Sequence, residues 1–564
     1  MLRSRTAVRI AVLAIVVIAC VAGSITGVAS SRQSATFDEI ILAAGGARAV
    51  TLDRWDMVTD QPPLMMWLYG WAVASADPEL PSEARAWDFN GRWDYARALF
   101  FESSNDPESL LARARAVTVA MAAGLVLVAG LFALWAGGPL AGVVAATFTA
   151  VTPDVLAHGG VAYNDVPLAL AFLLCVWALD ALVRWPTWRT GTCAGVALAC
   201  AFGMKMSALA LVPIAVALLA MEGASRWRDE GWRRDVGIAA CVCLVAAYGA
   251  LVVMYRGDLT LSMLRFNVWR TVIHASGGHP APAFLLGSTS ADGWWHYFPV
   301  AFLLKTPAGL HLALILALWL LGSSLFREWR IHPRAVVTGM LAWTGRAPAA
   351  GFVIFTAFLL RSDLNTGFRY ALPAMPLLCV FIGVVLGVLW YPVDGSGDRS
   401  LTRLWRPAGR IVAAVRVLLV LAVSMAGFAT VRTHPWHLSF VSVWGGGQVA
   451  GWRVLSDSNV DWGQGLLELR RFMQEEGVAS VRLSYFGSAR PLAYGIEYVA
   501  LPSFFRLAED RTPGAERDPR FTVISATNLH GLYFQGRDPF ASYRERVPYR
   551  VLGNALFVFD DAPT

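Results

Sequence analysis

Up to about residue 431 the chain alternates long apolar runs with short polar breaks, and beyond that point the pattern stops. A bilayer crossing needs about 20 apolar residues, within a range near 17–25. On that template the hydropathy predicts about eleven crossings, near 8–29, 115–136, 138–152, 166–183, 190–204, 206–221, 237–255, 298–322, 346–361, 369–391 and 411–431. The stretches 115–152 and 190–221 are each one continuous apolar run, split here at a plausible turn. The first crossing sits where a signal peptide would, but it lacks an A-x-A cleavage site and is long for such a segment. Residues 432–564 hold no predicted crossing. There, strand-like runs at Val481–Phe486, Phe521–Ser525 and Ala555–Phe559 accompany a helical stretch after Gly465. The predicted fold class is a polytopic α-helical membrane protein with about eleven transmembrane helices and a C-terminal extracytoplasmic α/β domain. Its parts are a membrane domain over 1–431, with extracytoplasmic loops 31–110 and 256–296, and the α/β domain over 432–564.

Composition agrees. The 564 residues are 56% hydrophobic and 15% charged, against roughly 25% charged for soluble domains. A soluble enzyme, a disordered chain and a fibrous protein are excluded. The net charge of +7 is no nucleic-acid signal, because the arginines are scattered between apolar runs and form no basic stripe. Their placement orients the chain instead. With the N-terminus cytoplasmic, the inner segments carry Arg3, Arg5 and Arg9; Arg184 and Arg189; Arg226, Arg228, Arg233 and Arg234; Arg327, Arg330 and Arg334; and Arg399, Arg403, Arg406 and Arg410. The 31–110 loop is acidic and falls outside, as does the C-terminal domain. The seven cysteines lie in apolar runs without zinc spacing, and read as small core residues. No internal repeat is evident, which disfavours an inverted-repeat transporter. Lysine occurs only at Lys205 and Lys305. Coding bias accounts for the rarity; both nevertheless lie in or beside apolar segments, where a charge is costly.

Candidate chemistry clusters at the predicted outer ends of crossings. Asp38-Glu39 follows the first crossing: paired carboxylates that suit deprotonation of a hydroxyl, or that merely cap a helix over Ile40–Ala44. Asp60-Gln-Pro-Pro precedes an apolar near-interfacial helix. His158…Tyr163-Asn164-Asp165-Val-Pro167 reads as a short outer loop, with Asp165 capping the next helix and His158 more simply a hydrogen-bonded surface residue. Lys205, Lys305 (eight residues after Tyr297) and Arg369, followed by Tyr370, lie near outer ends. They either snorkel or bind an anionic lipid headgroup, Arg as a fork and Lys as a point charge. A divalent cation held by Asp38, Glu39, His158 and Asp165 is conceivable on ligand chemistry alone, although no metal is required.

In their order these motifs resemble the C-type glycosyltransferases, specifically family 39, which includes the protein O-mannosyltransferases and is related to the lipid A aminoarabinose transferase. The elements are Asp38-Glu39, Asp60-Gln-Pro-Pro-Leu, His158 to Pro167, Gly203-Met-Lys205, Tyr297-Phe-Pro…Lys305-Thr-Pro307 and Arg369-Tyr-x-Leu-Pro-x-x-Pro376, spread over residues 8–431. Ser456-Asp-Ser-Asn-Val-Asp-Trp-Gly-Gln464 and Tyr485-Phe-Gly resemble bacterial membrane proteins grouped with the family. The resemblance implies inverting transfer of a sugar from a polyprenyl-phosphate donor to a lipid, glycan or protein hydroxyl at the outer face of a bacterial inner membrane. On it Asp38 is the general base and Glu39 and Asp165 orient it or the sugar. Lys205, Lys305 and Arg369 hold the donor phosphate, and Asp60, His158, Asn164, Tyr297 and Tyr370 line the substrate site. Two departures matter. Gln61 stands where the aminoarabinose enzymes tend to have Lys and the mannosyltransferases tend to have His-Pro-Pro, which argues against an aminoarabinose donor. The 256–296 loop is too short for the β-trefoil insert of eukaryotic protein mannosyltransferases. The alternatives from the same residues are a flippase for a polyprenyl-linked sugar, which needs no base, and a structural subunit whose C-terminal domain, with Trp444, Trp452 and Phe504-Phe505, binds envelope proteins.

Overall fold

The computed structural model describes residues 5–561 apart from 83–87, 278–281, 331–335, 337–338, 342, 388–408, 508 and 535. Arg3, Arg334, Arg399, Arg403 and Arg406, used above for orientation, and the end of the predicted 369–391 crossing lie outside the described residues.

All eleven predicted crossings fall on helices, but they differ in kind. Among the described residues seven helices are long and apolar enough to cross a membrane: Arg5–Ser30, Pro107–Gly137, Asp165–Arg184, Met206–Arg226, Glu230–Met254, Ala308–Phe326 and Arg410–Thr433. Pro139–Ala150 and Pro153–Gly159, bent by 64°, are either a broken eighth span or a re-entrant loop. The other three, Trp188–Met204, Arg346–Leu359 and Ala374–Gly387, have 17, 14 and 14 residues. Every residue of Ala374–Gly387 is buried. It is a core helix of the bundle, and apolar composition alone does not separate such a helix from a lipid-facing one.

The chain breaks where local chemistry dictates. Gly138, at φ +94°, ends the first half of the 107–150 apolar run, and Pro139 starts the second. Lys205 is extended (φ −161°, ψ 143°) between Trp188–Met204 and the next turn. The segment predicted as one crossing over 298–322 is two helices, Tyr297–Lys305 and one beginning at Ala308, because Pro307 cannot continue a hydrogen-bonded ladder. The helix Glu39–Leu52 crosses Pro63–Ala74 at Gly46 and Gly70. A Cβ on either would stand 2.3 Å from a backbone oxygen of the other helix, so only glycine allows that approach.

Beyond the bundle a five-stranded sheet runs in the order Glu497–Ala500, Ser480–Ser484, Phe521–Ser525, Leu556–Asp560, Arg550–Leu552. The first three strands are parallel and the last two pairings antiparallel. The helix Leu466–Glu476 begins after Gly465 and ends at Gly477 in the left-handed region, a usual helix stop. The segment before this helix folds back onto the loop after the first crossing. Phe37 N–H donates to the Trp462 carbonyl at 2.7 Å, Ser34 Oγ–H to the Gly463 carbonyl at 2.8 Å, and Gln33 Nε2–H to the Pro435 carbonyl at 2.9 Å.

Candidate active site

Two adjacent carboxylates, Asp38 and Glu39, meet opposite fates. Asp38 occupies the cap position of the helix Glu39–Leu52 but makes no capping bond with its side chain. Its Oδ2 instead lies 3.2 Å from Arg369 Nη1, and the side chain remains 26% exposed. Glu39 points inward and is fully buried. Arg115 grips it as a fork, Nε to Oε1 at 2.7 Å and Nη2 to Oε2 at 2.8 Å. The Ala162 and Thr36 N–H groups also donate to it. The remaining Arg115 donors reach the carbonyls of Ser30, Gln33 and Ser34. Glu39, expected to orient the base or the sugar, spends its acceptor capacity on Arg115 and on the backbone of Thr36 and Ala162, in the fold around Asp38.

A line of alternating charge leads from Asp38 into the bundle. Arg369 Nη1 is 3.2 Å from Asp38 and 3.7 Å from Asp165 Oδ2, and the other Asp165 oxygen accepts from Lys205. Asp165 can sit there because it opens the helix Asp165–Arg184, where the exposed N–H groups favour an acid. Lys205 faces it because the extended backbone at 205 turns the side chain out of its helix. Aromatic rings surround the cations. The Arg369 guanidinium lies 4.4 Å from the Trp462 ring, 5.1 Å from Tyr370 and 5.4 Å from Tyr163, and Lys205 Nζ lies 4.8 Å from Tyr370. Cations over ring faces are attracted by the ring quadrupole. Enclosure lifts the Asp38 carboxyl above the ordinary range; Arg369 pulls it back down, and Asp457 pushes it up.

Other expected site residues lie elsewhere. Lys305 is wholly buried: its Nζ donates to the carbonyls of Leu438 and Asn459, both at 2.7 Å, and stands 3.4 Å from Asp154. Lys305, expected as a donor-phosphate ligand, is thus held by two backbone carbonyls inside the fold, with Asp154 beside it. His158 lies on the helix Pro153–Gly159 and is 2% exposed, so the surface reading also fails. Its ring packs edge-on to Trp462 at 5.7 Å. Tyr297 is buried and its hydroxyl accepts from Asn459 Nδ2 at 2.9 Å. Asn164 donates to Gln61 Oε1 at 3.0 Å and to the Met204 carbonyl at 3.1 Å, so the neutral amide at 61 braces the loop before Asp165. Asp60 pairs with Arg92 at 2.9 Å and Arg270 at 3.3 Å. The four residues considered for a divalent cation do not gather around one point: Arg369 stands between Asp38 and Asp165, and Arg115 takes Glu39. Among the described residues no group of three or more His, Cys, Asp or Glu is placed to hold a metal ion.

Four residues escaped the sequence reading. For Arg115 and Asp154 nothing local marks a long-range partner. Asp457 and Trp462 belong to the Ser456–Gln464 motif, whose contribution here is structural as well as chemical. Asn459 Oδ1 accepts from Phe368 N–H at 2.8 Å, and Ser458 Oγ–H donates to the Thr366 carbonyl at 2.9 Å, so this motif holds the turn that carries Arg369.

A family model described as dolichyl-phosphate-mannose-protein mannosyltransferase matches residues 56–257. That span holds Asp60, His158, Asn164, Asp165 and Lys205, and excludes Asp38, Lys305 and Arg369. No curated protein sequence matches the chain. Among solved structures, ArnT from Cupriavidus metallidurans bound to undecaprenyl phosphate is 13% identical, with 98% of this chain and 99% of that chain covered, at a TM-score of 0.44. The oligosaccharyltransferase AglB from Archaeoglobus fulgidus, in complex with an inhibitory peptide and a dolichol-phosphate, is 12% identical over 73% of this chain and 56% of that one, also at 0.44. The resemblance to the family 39 C-type glycosyltransferases, carried by motifs along the membrane portion, is thus met again over residues 56–257 by the family model of its mannosyltransferase branch.

Proposed function

We propose that this chain is an inverting glycosyltransferase that moves a sugar from a polyprenyl-phosphate donor to a hydroxyl acceptor on the extracytoplasmic face of a membrane. The observation that carries the reading is the line Lys205–Asp165–Arg369–Asp38, in which a solvent-reachable carboxylate ends a row containing two cations. The dolichyl-phosphate donor in the matching family's description supports the same class of donor. In this reading the acceptor O–H proton passes to Asp38 as that oxygen attacks the anomeric carbon from the side opposite the phosphate. The bond from anomeric carbon to phosphate oxygen breaks, and its electron pair leaves with the lipid phosphate. Arg369 and Lys205 meet the charge that develops there. One base suffices because a phosphate leaves without being protonated. Asp165 holds both cations in place. The acidic outer loop and the arginine-rich inner segments support a cytoplasmic N-terminus and an extracytoplasmic 432–564 domain in a bacterial inner membrane.

The test uses the full chain in membranes supplied with undecaprenyl-phosphate sugars. Asp38→Asn is expected to lower transfer by about 10²–10⁴-fold. Lys205→Met is expected to weaken undecaprenyl phosphate binding itself. Wild-type transfer by Asp38→Asn would remove Asp38 as the base. A flippase would lose neither donor translocation nor donor binding in that variant.

A further inference from the structure

The C-terminal region supplies more to this site than a brace. Asp457 lies in the motif that packs on the Arg369 turn, at φ +57°, a left-handed conformation that Asp tolerates better than most residues. Its side chain is half-buried between the buried Ser456 and Ser458. Tyr533 donates its hydroxyl to Asp457 Oδ2, and Ser458 N–H donates to Oδ1 at 2.6 Å. Among the described residues no cation pairs with Asp457, unlike Asp38 and Asp165. Its remaining lone pairs are therefore open to neutral O–H donors, and its charge is felt by Asp38.

Aromatic rings connect the two carboxylates. Tyr533 meets Phe504 edge-on at 4.7 Å and Phe486 at 5.2 Å; Phe504 and Phe486 lie 5.5 and 5.2 Å from Phe37, the residue before Asp38. Phe486 is buried, whereas Phe37, Phe504 and Tyr533 are half-buried and keep part of their surface accessible. Half-buried aromatic side chains beside a carboxylate without a cation combine two recognition chemistries. The rings take an apolar C–H face, as aromatic surfaces do at binding sites. The carboxylate takes hydroxyl groups through charge-assisted hydrogen bonds. A sugar ring presents both on one small body, and a serine or threonine side chain presents one hydroxyl and no such face.

We propose that Phe504, Tyr533 and Asp457 form the acceptor subsite of this enzyme, and that the acceptor is a carbohydrate hydroxyl. The inference rests on the glycosyltransferase reading above. Asp457 binds a hydroxyl of the acceptor ring, Phe504 and Tyr533 stack on that ring, and a neighbouring hydroxyl is thereby turned towards Asp38. The C-terminal region thus selects the acceptor, while the membrane helices hold the donor.

The purified full chain in lipid nanodiscs is applied to an array bearing oligosaccharides and serine- and threonine-containing peptides. Undecaprenyl phosphate binding is measured in parallel by calorimetry. The expected result is retention of oligosaccharides by the wild type, with a loss of at least about tenfold for Phe504→Ala and Asp457→Asn, and undecaprenyl phosphate still bound by both. Should either variant also lose the lipid phosphate, and so be misfolded, Tyr533→Phe decides the matter. It keeps the stacking ring and frees the Asp457 oxygen that the Tyr533 hydroxyl occupies. It is expected to bind undecaprenyl phosphate and to retain the same oligosaccharides at least as well as the wild type, whereas their loss would overturn the proposal. Retention of peptides alone, no retained oligosaccharide, or unchanged retention by Phe504→Ala and Asp457→Asn would each overturn the proposal. Failure of the wild type to bind undecaprenyl phosphate would instead count against the donor reading, separately from the acceptor subsite.

Discussion

Asp38 and Glu39 are neighbours in the chain with the same functional group, and their environments give them different work. Glu39 has a bidentate arginine and two backbone donors and no exposure; Asp38 has one arginine contact and an accessible face. Breaking a buried ion pair leaves the surviving charge uncompensated, at a cost of about 3–5 kcal/mol. Glu39→Gln is therefore expected to lower the thermal unfolding midpoint of the detergent-solubilised chain sharply. The Asp38→Asn change should move it far less while removing transfer. Equal midpoints for the two variants would contradict the division of labour. The place of the acidic dipeptide after the first crossing was legible from the sequence. The arginine fork that holds Glu39 was not legible, because Arg115 stands 76 residues away in another helix.

At the level of elements, each predicted crossing falls on helix, and even the splits near 138 and 205 hold, where Gly138-Pro139 and Lys205 interrupt apolar runs. It misjudged length and continuity where backbone chemistry intervenes, as at Pro307, and where a helix is apolar because it is buried, as in Ala374–Gly387. The helix that presents Asp38 is fixed by its crossing with Pro63–Ala74 at Gly46 and Gly70, where the two backbones nearly touch. Gly70→Ala forces them apart. Overpacking of this kind costs about 1–3 kcal/mol, read as a fall in unfolding midpoint, and transfer should fall with it as Asp38 shifts against Arg369. An unchanged midpoint would show that the crossing yields without strain.

The whole molecule is joined by long-range polar contacts between the bundle and the C-terminal region: Lys305 to Leu438 and Asn459, Ser34 to Gly463, Trp462 over Arg369. Asp461 sits in this joint, accepting from Thr527 N–H and Gly463 N–H at 3.2 Å each, and burial pushes its carboxyl up to about 7. A carboxyl whose folded pKa is raised binds its proton more tightly in the folded state. Its contribution to stability is full below the unfolded value near 4 and is lost as pH rises through about 7. The wild-type unfolding midpoint minus that of Asp461→Asn should accordingly decrease from pH 4 to pH 7; a flat difference would mean that Asp461 is not protonated in the folded chain. Local pattern was enough for the place of the apolar runs, the change to a sheet-bearing region after 431, and the two lysines as residues to watch, since hydropathy, glycine and proline act over a few positions; it overcounted the crossings, of which seven or eight are long enough among the described residues. The separation of Lys205 from Lys305, one in the charged line and one locked inside, and the arrival of Trp462 beside Arg369 depend on partners from 40 to 154 residues apart. Burial and ion pairing are properties of the assembled fold, so no stretch of chain carries them alone.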